Sequence, residues 1–364
     1  MSENLLRIQN ALREEKLPGD AVLITSLVNR RFATGFASSA GMVVIAKEKS
    51  WFLTDFRYAE AARNALSGTS LLILQRGQKY STLISDILQA ENIKSLGFED
   101  QEMTVAEHAA LSSELSSLLP GGLLPIGSRL SHLRASKLPF ELKYMRKAQK
   151  IAEKAFEQLL SVIAAGMTEK QLETELMYRL LLNGAEGLSF DPIVVSGPNS
   201  ALPHGRAGDR VLQAGDFVTM DFGVTYRGYC SDMTRTVAIG YATDEMRKVY
   251  NTVLKAQEIG LEKAKAGILW SDVDMAARNY IAAEGYGEYF GHGLGHGLGL
   301  LVHESLDFDP DRPGITPVNG VVSVEPGIYL PGKFGVRIED CVILQADGNE
   351  NLTSSPKELI IIGK

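Results

Sequence analysis

One stretch decides the fold of the C-terminal part, residues 217–239, which has the sequence FVTMDFGVTYRGYCSDMTRTVAI. β-Branched and aromatic residues flank Arg227-Gly228, a pair that suits a two-residue hairpin turn. We expect Tyr226 and Tyr229 to close this turn. The stretch therefore predicts a β-hairpin whose register is set by the turn.

Two aspartates lie on this hairpin. In the predicted register Asp232 lies opposite Gly223, and Asp221 projects from the same face as Asp232 because strand side chains alternate. Gly223 has no side chain and would leave room beside them. The spacing predicts two carboxylates on neighbouring strands, close enough to share metal ions; the alternative is a pair of solvated aspartates.

A second pair of carboxylates lies in residues 321–344, VVSVEPGIYLPGKFGVRIEDCVIL. Glu325 and Glu339 fall on two apolar strands joined by a loop around Pro331-Gly332. An isolated glutamate in an apolar strand costs free energy unless it is paired or liganded. The loop does not fix the register, and a bulge at Pro326-Gly327 would change it. Whether the two glutamates share a face stays open.

Between the hairpins lies a glycine-rich strip, residues 291–304, GHGLGHGLGLLVHE. Five alternating glycines disfavour a regular helix. In an extended strip His292, Leu294, His296 and Leu298 would share one face, so His292 and His296 are both candidate ligands. A further histidine, His204 in SGPNSALPHGR, is by itself most typical of a polar surface residue.

Composition excludes several classes of protein. The net charge of −7 argues against a nucleic-acid-binding role, which needs a basic stripe. We find no apolar stretch of the ~18 residues that a membrane span needs, and the charged N-terminus is not a secretory signal. Two cysteines in 364 residues are typical of a reducing compartment, so we expect a cytoplasmic protein without a membrane partner.

The chain is long enough for two domains. The first part alternates helical patterns with apolar runs such as Ala21–Leu27, which predicts an α/β domain with a mixed sheet. Pro/Gly-rich sequence near residues 119–138 marks a boundary. We predict an α+β two-domain protein with domains at 1–132 and 139–364.

Together these motifs resemble the metallopeptidase family of prolidases, Xaa-Pro aminopeptidases and methionine aminopeptidases, which has the pita-bread fold. The resemblance is carried, in the family's order, by SFDPIVVSGPNSALPHG, DFGVTYRGYCSDMTRT, GHGLGHGLGLLVHE, VEPGIY and GVRIED. LTDFRY, residues 53–58, is similar to a stretch of the creatinase/prolidase N-terminal domain. The resemblance implies that domain followed by a pita-bread catalytic domain.

The resemblance also assigns roles to residues. The five matching metal ligands are Asp221, Asp232, His296, Glu325 and Glu339. His296 is the matching ligand rather than His292, because it lies seven residues before His303. His204 and His303 match the histidines that contact the substrate and the tetrahedral intermediate. His292 matches a histidine of the pocket, and Arg337 an arginine near the substrate carboxylate.

The implied activity is that of a dinuclear exopeptidase. Two divalent ions, Mn²⁺ by resemblance with Co²⁺ or Zn²⁺ as alternatives, would activate a bridging hydroxide, with Glu325 as the general base. The substrate would be a short peptide cleaved between its first residue and proline, and the family implies a homodimer.

Other activities fit parts of the same sequence. The alternative is a prolidase restricted to dipeptides, which needs a second arginine; Arg312 lies one position from the matching place. A methionine aminopeptidase and a non-catalytic pita-bread protein are disfavoured, because an N-terminal domain and all five ligands are present.

The two cysteines lie close to predicted ligands in the sequence. Cys230 and Cys341 are each two residues from a ligand, Asp232 and Glu339, which on a strand is the same face. A thiol could thus approach the metal site; the alternative is two small buried apolar residues.

Overall fold

The structure, a computed structural model, describes residues 2–304 and 314–363. It divides into two compact units, Met1–Arg134 and Ala135–Lys364, each with its own hydrophobic core. None of the described helices combines the length and the apolar character needed to cross a bilayer.

The N-terminal unit is an α/β domain built on one six-stranded sheet. Its strands are β1 Ala21–Ile24, β2 Met42–Ala46, β3 Ser50–Thr54, β4 Ser70–Ile73, β5 Leu96–Phe98 and β6 Leu123–Pro125. Its helices are α1 Glu3–Arg13, α2 Leu27–Thr34, α3 Phe56–Ala65, α4 Tyr80–Ala90, α5 Val105–Leu115 and α6 Arg129–Ala135. The strand order is β4-β3-β2-β1-β5-β6, with both parallel and antiparallel pairs, so the predicted mixed sheet is confirmed.

The run Ala21–Leu27 does not form a single strand. Strand β1 ends at Ile24, and the side chain of Ser26 accepts a hydrogen bond from the main-chain N–H of Asn29, so a helix begins at Leu27. A serine in this position satisfies a free helical N–H group. The apolar run Ala21–Leu27 thus contains the end of a strand and the start of a helix, a division that hydrophobicity alone does not show.

The C-terminal unit combines four long helices with short strands. The helices are α7 Pro139–Leu160, α8 Glu169–Leu182, α9 Asp244–Lys263 and α10 Trp270–Ala283. The strands are β7 Gly187–Leu188, β8 Ile193–Ser196, β9 Phe217–Phe222, β10 Val224–Tyr226, β11 Tyr229–Cys230, β12 Met233–Ile239, β13 Val321–Val324, β14 Gly327–Leu330, β15 Phe334–Arg337, β16 Asp340–Gln345, β17 Gly348–Asn351 and β18 Ile361–Ile362. An α+β protein is thus confirmed.

The predicted aspartate hairpin, residues 217–239, is present with the expected turn. Tyr226 pairs with Tyr229, and Arg227 and Gly228 both have positive φ, at 51° and 79°. Positive φ at both central residues is the conformation of a type I′ turn. The same register runs through both parts of the hairpin, β10–β11 and β9–β12, so Asp232 falls opposite Gly223 as predicted.

The glutamate hairpin, residues 321–345, settles the register that the sequence leaves open. β13 pairs with β16, and β14 with β15, in one continuous register without a bulge. Glu325 and Glu339 therefore come opposite each other at the point where both ladders are interrupted. There the main-chain N–H of Glu339 donates to the carbonyl of Thr234, and that of Glu325 to the carbonyl of Leu294. The hairpin is thus held by its neighbours at both glutamates.

Candidate metal centre

One cavity of about 760 Å³ in the C-terminal unit collects the predicted site. All nine residues assigned a role from the sequence line it: His204, Asp221, Asp232, His292, His296, His303, Glu325, Arg337 and Glu339. Arg312 lies outside the described residues. Residues from both hairpins, the glycine-rich strip and the loop before β9 thus meet in one place.

The glycine-rich strip carries His292 and His296 into the cavity. The prediction that Leu294 shares a face with these histidines is wrong. Main-chain bonds join the strip to β13, but it is not a regular strand. Leu294 packs in the same core cluster as Val324, whereas His292 and His296 line the cavity. Strict alternation fails here because irregular backbone does not keep a period of two.

Two of its glycines are required by close contacts. A Cβ added at Gly295 would lie 2.0 Å from the carbonyl oxygen of Ser323, and one added at Gly299 would lie 2.7 Å from the carboxylate of Glu304. A Cβ at Gly291 or Gly293 would meet nothing. Gly223 behaves like Gly295, since a Cβ there would lie 1.9 Å from the carbonyl oxygen of Ser231. The expectation that Gly223 leaves room beside the aspartates is therefore wrong, because main chain fills that space.

Three ligand-type residues form a tight cluster. Single ligand atoms of Asp232, His296 and Glu339 all lie within 4.8 Å of one another. The His296 Nε2 atom lies 3.6 Å from a carboxylate oxygen of Asp232 and 3.4 Å from one of Glu325. Ser323 supports two members of the site, since its Oγ accepts from the main-chain N–H of His296 and donates to Glu325.

The tautomer of His296 follows from its partners. Its Nδ1 lies 3.1 Å from the carbonyl oxygen of Gly297, a contact that requires a proton on Nδ1. Burial, together with the neighbouring His303, lowers the pKa of His296 to about 4, so the ring is neutral near pH 7. Nε2 then points a lone pair, not a proton, towards the carboxylates of Asp232 and Glu325.

Three carboxylate oxygens of the predicted ligands lack hydrogen-bond donors. Asp221 Oδ1, Asp232 Oδ1 and Glu339 Oε1 are fully buried without a partner. Burial, reinforced by neighbouring carboxylates, raises the pKa values of Asp232 and Glu339 well above their usual range. Burial likewise raises the pKa of Glu325 to about 7. Unpartnered acceptors that converge on one place fit divalent cations, which prefer carboxylate oxygen and imidazole nitrogen and would displace the protons that the metal-free carboxyl groups hold.

Arg337 connects several parts of the site. Its side chain is 4% exposed, and its guanidinium donates to Asp221 Oδ2 at 2.6 Å, to the hydroxyl of Tyr329 at 2.8 Å and to the carbonyl of Pro203. Its Nε donates to Thr234 Oγ1, and Thr234 in turn donates to Glu339 at 2.7 Å. These contacts fix Asp221 and the loop of His204. The predicted contact of Arg337 with a substrate carboxylate stays a prediction.

Tyr329 is a site residue that the sequence analysis missed. Its hydroxyl accepts from Arg337 and lies 2.9 Å from His292 Nε2. His292 Nδ1 lies 2.8 Å from the carbonyl of Gly293, so Nε2 is the acceptor for the tyrosine proton. The one feature of the sequence that could have pointed to Tyr329 is Gly327, where an added Cβ would lie 2.4 Å from this hydroxyl. Glycine two residues before a strand tyrosine leaves space for the ring.

The histidines His204 and His303 are exposed at the cavity. The ring of His303 lies 4.1 Å from that of His296, in an edge-to-face arrangement. Exposed imidazoles beside a metal-type cluster are accessible to a bound molecule.

The cysteines do not enter the site. Cys230 and Cys341 are both buried, and neither is among the described residues that line the cavity. The Cys341 thiol donates to the carbonyl of Asp232 at 3.2 Å, and burial raises its pKa well above the usual value. It therefore stays protonated and packs as a small apolar side chain, which agrees with the alternative of two small buried apolar residues.

Two family models match this chain. Residues 143–346 match Metallopeptidase family M24, and residues 5–136 match the Creatinase/Prolidase N-terminal domain. The chain is 43% identical to the uncharacterized peptidase YqhT of Bacillus subtilis over 343 residues, which cover 94% of this chain and 96% of that protein.

Two solved structures are similar over nearly the whole chain. The Xaa-Pro dipeptidase from Bacillus anthracis superposes with a TM-score of 0.90 at 40% identity, covering 99% of both chains. The X-Pro aminopeptidase from Thermotoga maritima superposes with a TM-score of 0.88 at 37% identity, covering 96% of this chain and 99% of that chain.

Proposed function

Since this chain belongs to Metallopeptidase family M24, with a creatinase/prolidase N-terminal domain and a pita-bread catalytic domain, we propose that it hydrolyses the bond between an N-terminal residue and proline in short peptides. The observation that carries the proposal is the single cavity in which all nine predicted residues meet. The names of the two similar structures support the preference for proline.

The proposed cofactor is a pair of divalent ions, of which Mn²⁺ is the expected metal. Asp221, Asp232, His296, Glu325 and Glu339 would hold them, and the unpartnered carboxylate oxygens of this set support that assignment. When bound, such ions lower the pKa of water towards neutrality and polarise a carbonyl group.

The chain's own residues would then handle protons and charge. Glu325, held by Ser323 Oγ at 3.0 Å, would take the proton of the attacking water at its other oxygen. His303 and His204 would donate hydrogen bonds to the oxyanion that develops on the scissile carbonyl. His292, fixed by Tyr329, would line the pocket for the substrate.

A peptide panel tests the reaction and the length of the substrate. The Mn²⁺-loaded protein is assayed with Ala-Pro, Ala-Pro-Ala, Met-Ala-Ser and Met-Pro-Ala in parallel. We expect cleavage of the proline peptides; cleavage confined to Ala-Pro identifies a dipeptidase, and cleavage of the tripeptides an aminopeptidase. Preference for Met-Ala-Ser, or no cleavage with about two ions bound per chain, contradicts the proposal.

We extend the proposal to a homodimer in the cytoplasm, on the basis of family resemblance. Sedimentation equilibrium of the metal-loaded protein is expected to give twice the mass of one chain. A monomer that retains full activity would contradict this part and leave the reaction untouched.

A further inference from the structure

A buried ion pair lies outside the residues assigned so far. Lys137 Nζ lies 3.0 Å from Glu304 Oε2, and the two side chains are 2% and 3% exposed. Lys137 falls between the two family matches, which end at 136 and begin at 143. A buried pair is weak evidence for stability, because desolvation of both charges offsets their attraction. A gain in stability therefore does not explain why this ion pair is buried at this place.

The carboxylate of Glu304 is the centre of a tight turn, residues 297–304. The main-chain N–H of Glu304 donates to the carbonyl of Gly297 at 2.7 Å, and that of Leu300 donates to Glu304 Oε1 at 3.2 Å. Gly299 lies against the same carboxylate, since an added Cβ would be 2.7 Å from Oε2. The turn thus closes around one charged group.

His303 precedes Glu304 directly and is exposed at the cavity. Its ring meets that of His296 edge to face at 4.1 Å, and beyond this one ring contact its position depends on the main chain that carries it. That main chain is anchored at the next residue, through the carboxylate inside the turn.

Lys137 is itself fixed at the start of the catalytic unit. Its main-chain N–H donates to the carbonyl of Asn319 at 3.0 Å, and Nζ also donates to the carbonyl of Ala135 at 3.2 Å. The ammonium group therefore offers Glu304 a partner at a defined place rather than on a mobile chain.

We propose that Lys137 is a positioning residue for His303, acting through the Glu304 carboxylate and the turn of residues 297–304. This inference rests on the proposed function, in which His303 stabilises charge that develops in the reaction. A displacement of about 1 Å is enough to cost on the order of 10²-fold in rate. The pair would thus serve the rate of the reaction and not the affinity for metal or substrate.

The test compares Lys137→Met with Lys137→Met/Glu304→Gln. We expect the single variant to lose thermal stability, because it leaves a buried carboxylate unpaired, and to lose about 10–100-fold in kcat with unchanged KM and metal content. The double variant removes both charges, so its Tm should recover while kcat stays at least about tenfold low. The control is Arg146→Met, which removes the half-exposed pair with Glu350 in the same unit and should leave kcat unchanged.

A readout that does not depend on turnover is amide hydrogen exchange of the 297–304 segment. In Lys137→Met the N–H groups of Leu300 and Glu304 should exchange faster. A kcat within twofold of wild type in both Lys137 variants, at a temperature where they are folded, overturns the proposal and leaves the pair a purely structural one.

The failure of the proposed function is distinguishable from this outcome. If the wild type cleaves no proline peptide, the proposed function is wrong. If His303→Ala keeps the wild-type kcat, the reaction stands, but the role of His303 and the positioning by Lys137 both fall.

Discussion

The two carboxylate hairpins, residues 217–239 and 321–345, reach the same cavity by different means. The aspartate hairpin is closed by a two-residue turn that carries one register through to Asp232. The glutamate hairpin keeps its register through contacts with β12 and the strip, at the two points where its ladder opens. One hairpin is specified locally and the other by its neighbours, and variants of each should separate these two sources of geometry.

The largest effect is expected on the glutamate side. Glu339→Gln removes a charge from the cluster with Asp232 and His296. We expect bound metal to fall and turnover to drop at least about 10³-fold, beyond the 10–100-fold typical when a residue that only supports a ligand is changed. Asp221→Asn, the matched change in the aspartate hairpin, lies outside that cluster and should lose less. Metal analysis and kcat are measured for both variants. Equal losses in the two variants would contradict the proposed difference between the two hairpins.

Arg337 should come next, because it joins the two hairpins. Arg337→Met leaves Asp221 without its charged partner at 2.6 Å and frees the hydroxyl of Tyr329. We expect about a 10–100-fold lower kcat and weaker metal binding. The dependence of activity on Mn²⁺ concentration reports the second effect. If binding and kcat are unchanged while KM rises, Arg337 acts on the substrate instead.

A pair of glycine variants tests where each hairpin tolerates a side chain. Gly223→Ala places a Cβ 1.9 Å from a main-chain oxygen, so we expect a loss of about 3 kcal/mol in the free energy of unfolding. Gly332→Ala, in the glutamate loop at φ 73°, meets no neighbour and should cost only about 1–2 kcal/mol. Urea denaturation compares them. A larger loss at Gly332 would mean that the loop, and not the neighbours, specifies the second hairpin.

The smallest effect concerns the pH dependence of the metal-free protein. Burial raises the pKa values of Asp232, Glu325 and Glu339, so the folded state holds protons that the unfolded chain releases. Stability from these groups is complete below their ordinary pKa and is lost as pH rises, for Glu325 through about 7. His296, whose pKa is lowered to about 4, acts in the opposite direction. Its contribution to the stability of the folded protein is lost as pH falls below about 6.5.

Three carboxyl groups outweigh one imidazole, so we expect the Tm of the metal-free protein to fall by about 5 °C between pH 5 and pH 8. Glu325→Gln should flatten this slope, since the glutamate hairpin carries two of the three groups. Added Mn²⁺ should raise Tm more at pH 8 than at pH 5, because protons compete for the ligands. A metal-free Tm that rises across this range would contradict the assignment.

Local patterns in the sequence were sufficient for part of this site. The turn at Arg227-Gly228 and the face shared by Asp221 and Asp232 follow from a period of two and from turn chemistry, both of which are short-range. The register of Glu325 against Glu339 could not be predicted, because a three-residue loop permits several pairings and the deciding bonds come from Thr234 and Leu294.

Contacts between residues far apart in the chain could not be predicted either, because local patterns do not determine them. The pairing of Arg337 with Asp221 joins residues 116 positions apart, and that of Lys137 with Glu304 joins residues 167 apart. The face of Leu294 was predicted wrongly because glycine-rich backbone need not alternate. The cap at Ser26 was missed because it acts through one side-chain oxygen. Such features depend on three-dimensional contacts or on a single atom, which hydrophobic patterns do not encode.

The unpartnered carboxylate oxygens have a consequence for the lifetime of the protein in the cell. A ligand that binds only the folded chain stabilises it by an amount that grows with the ligand's free concentration. Proteases degrade chains in proportion to how often they open. The quantity of this enzyme should therefore follow the supply of its metal, falling under metal starvation without any dedicated sensor, so that the catalytic centre also determines how long each copy survives.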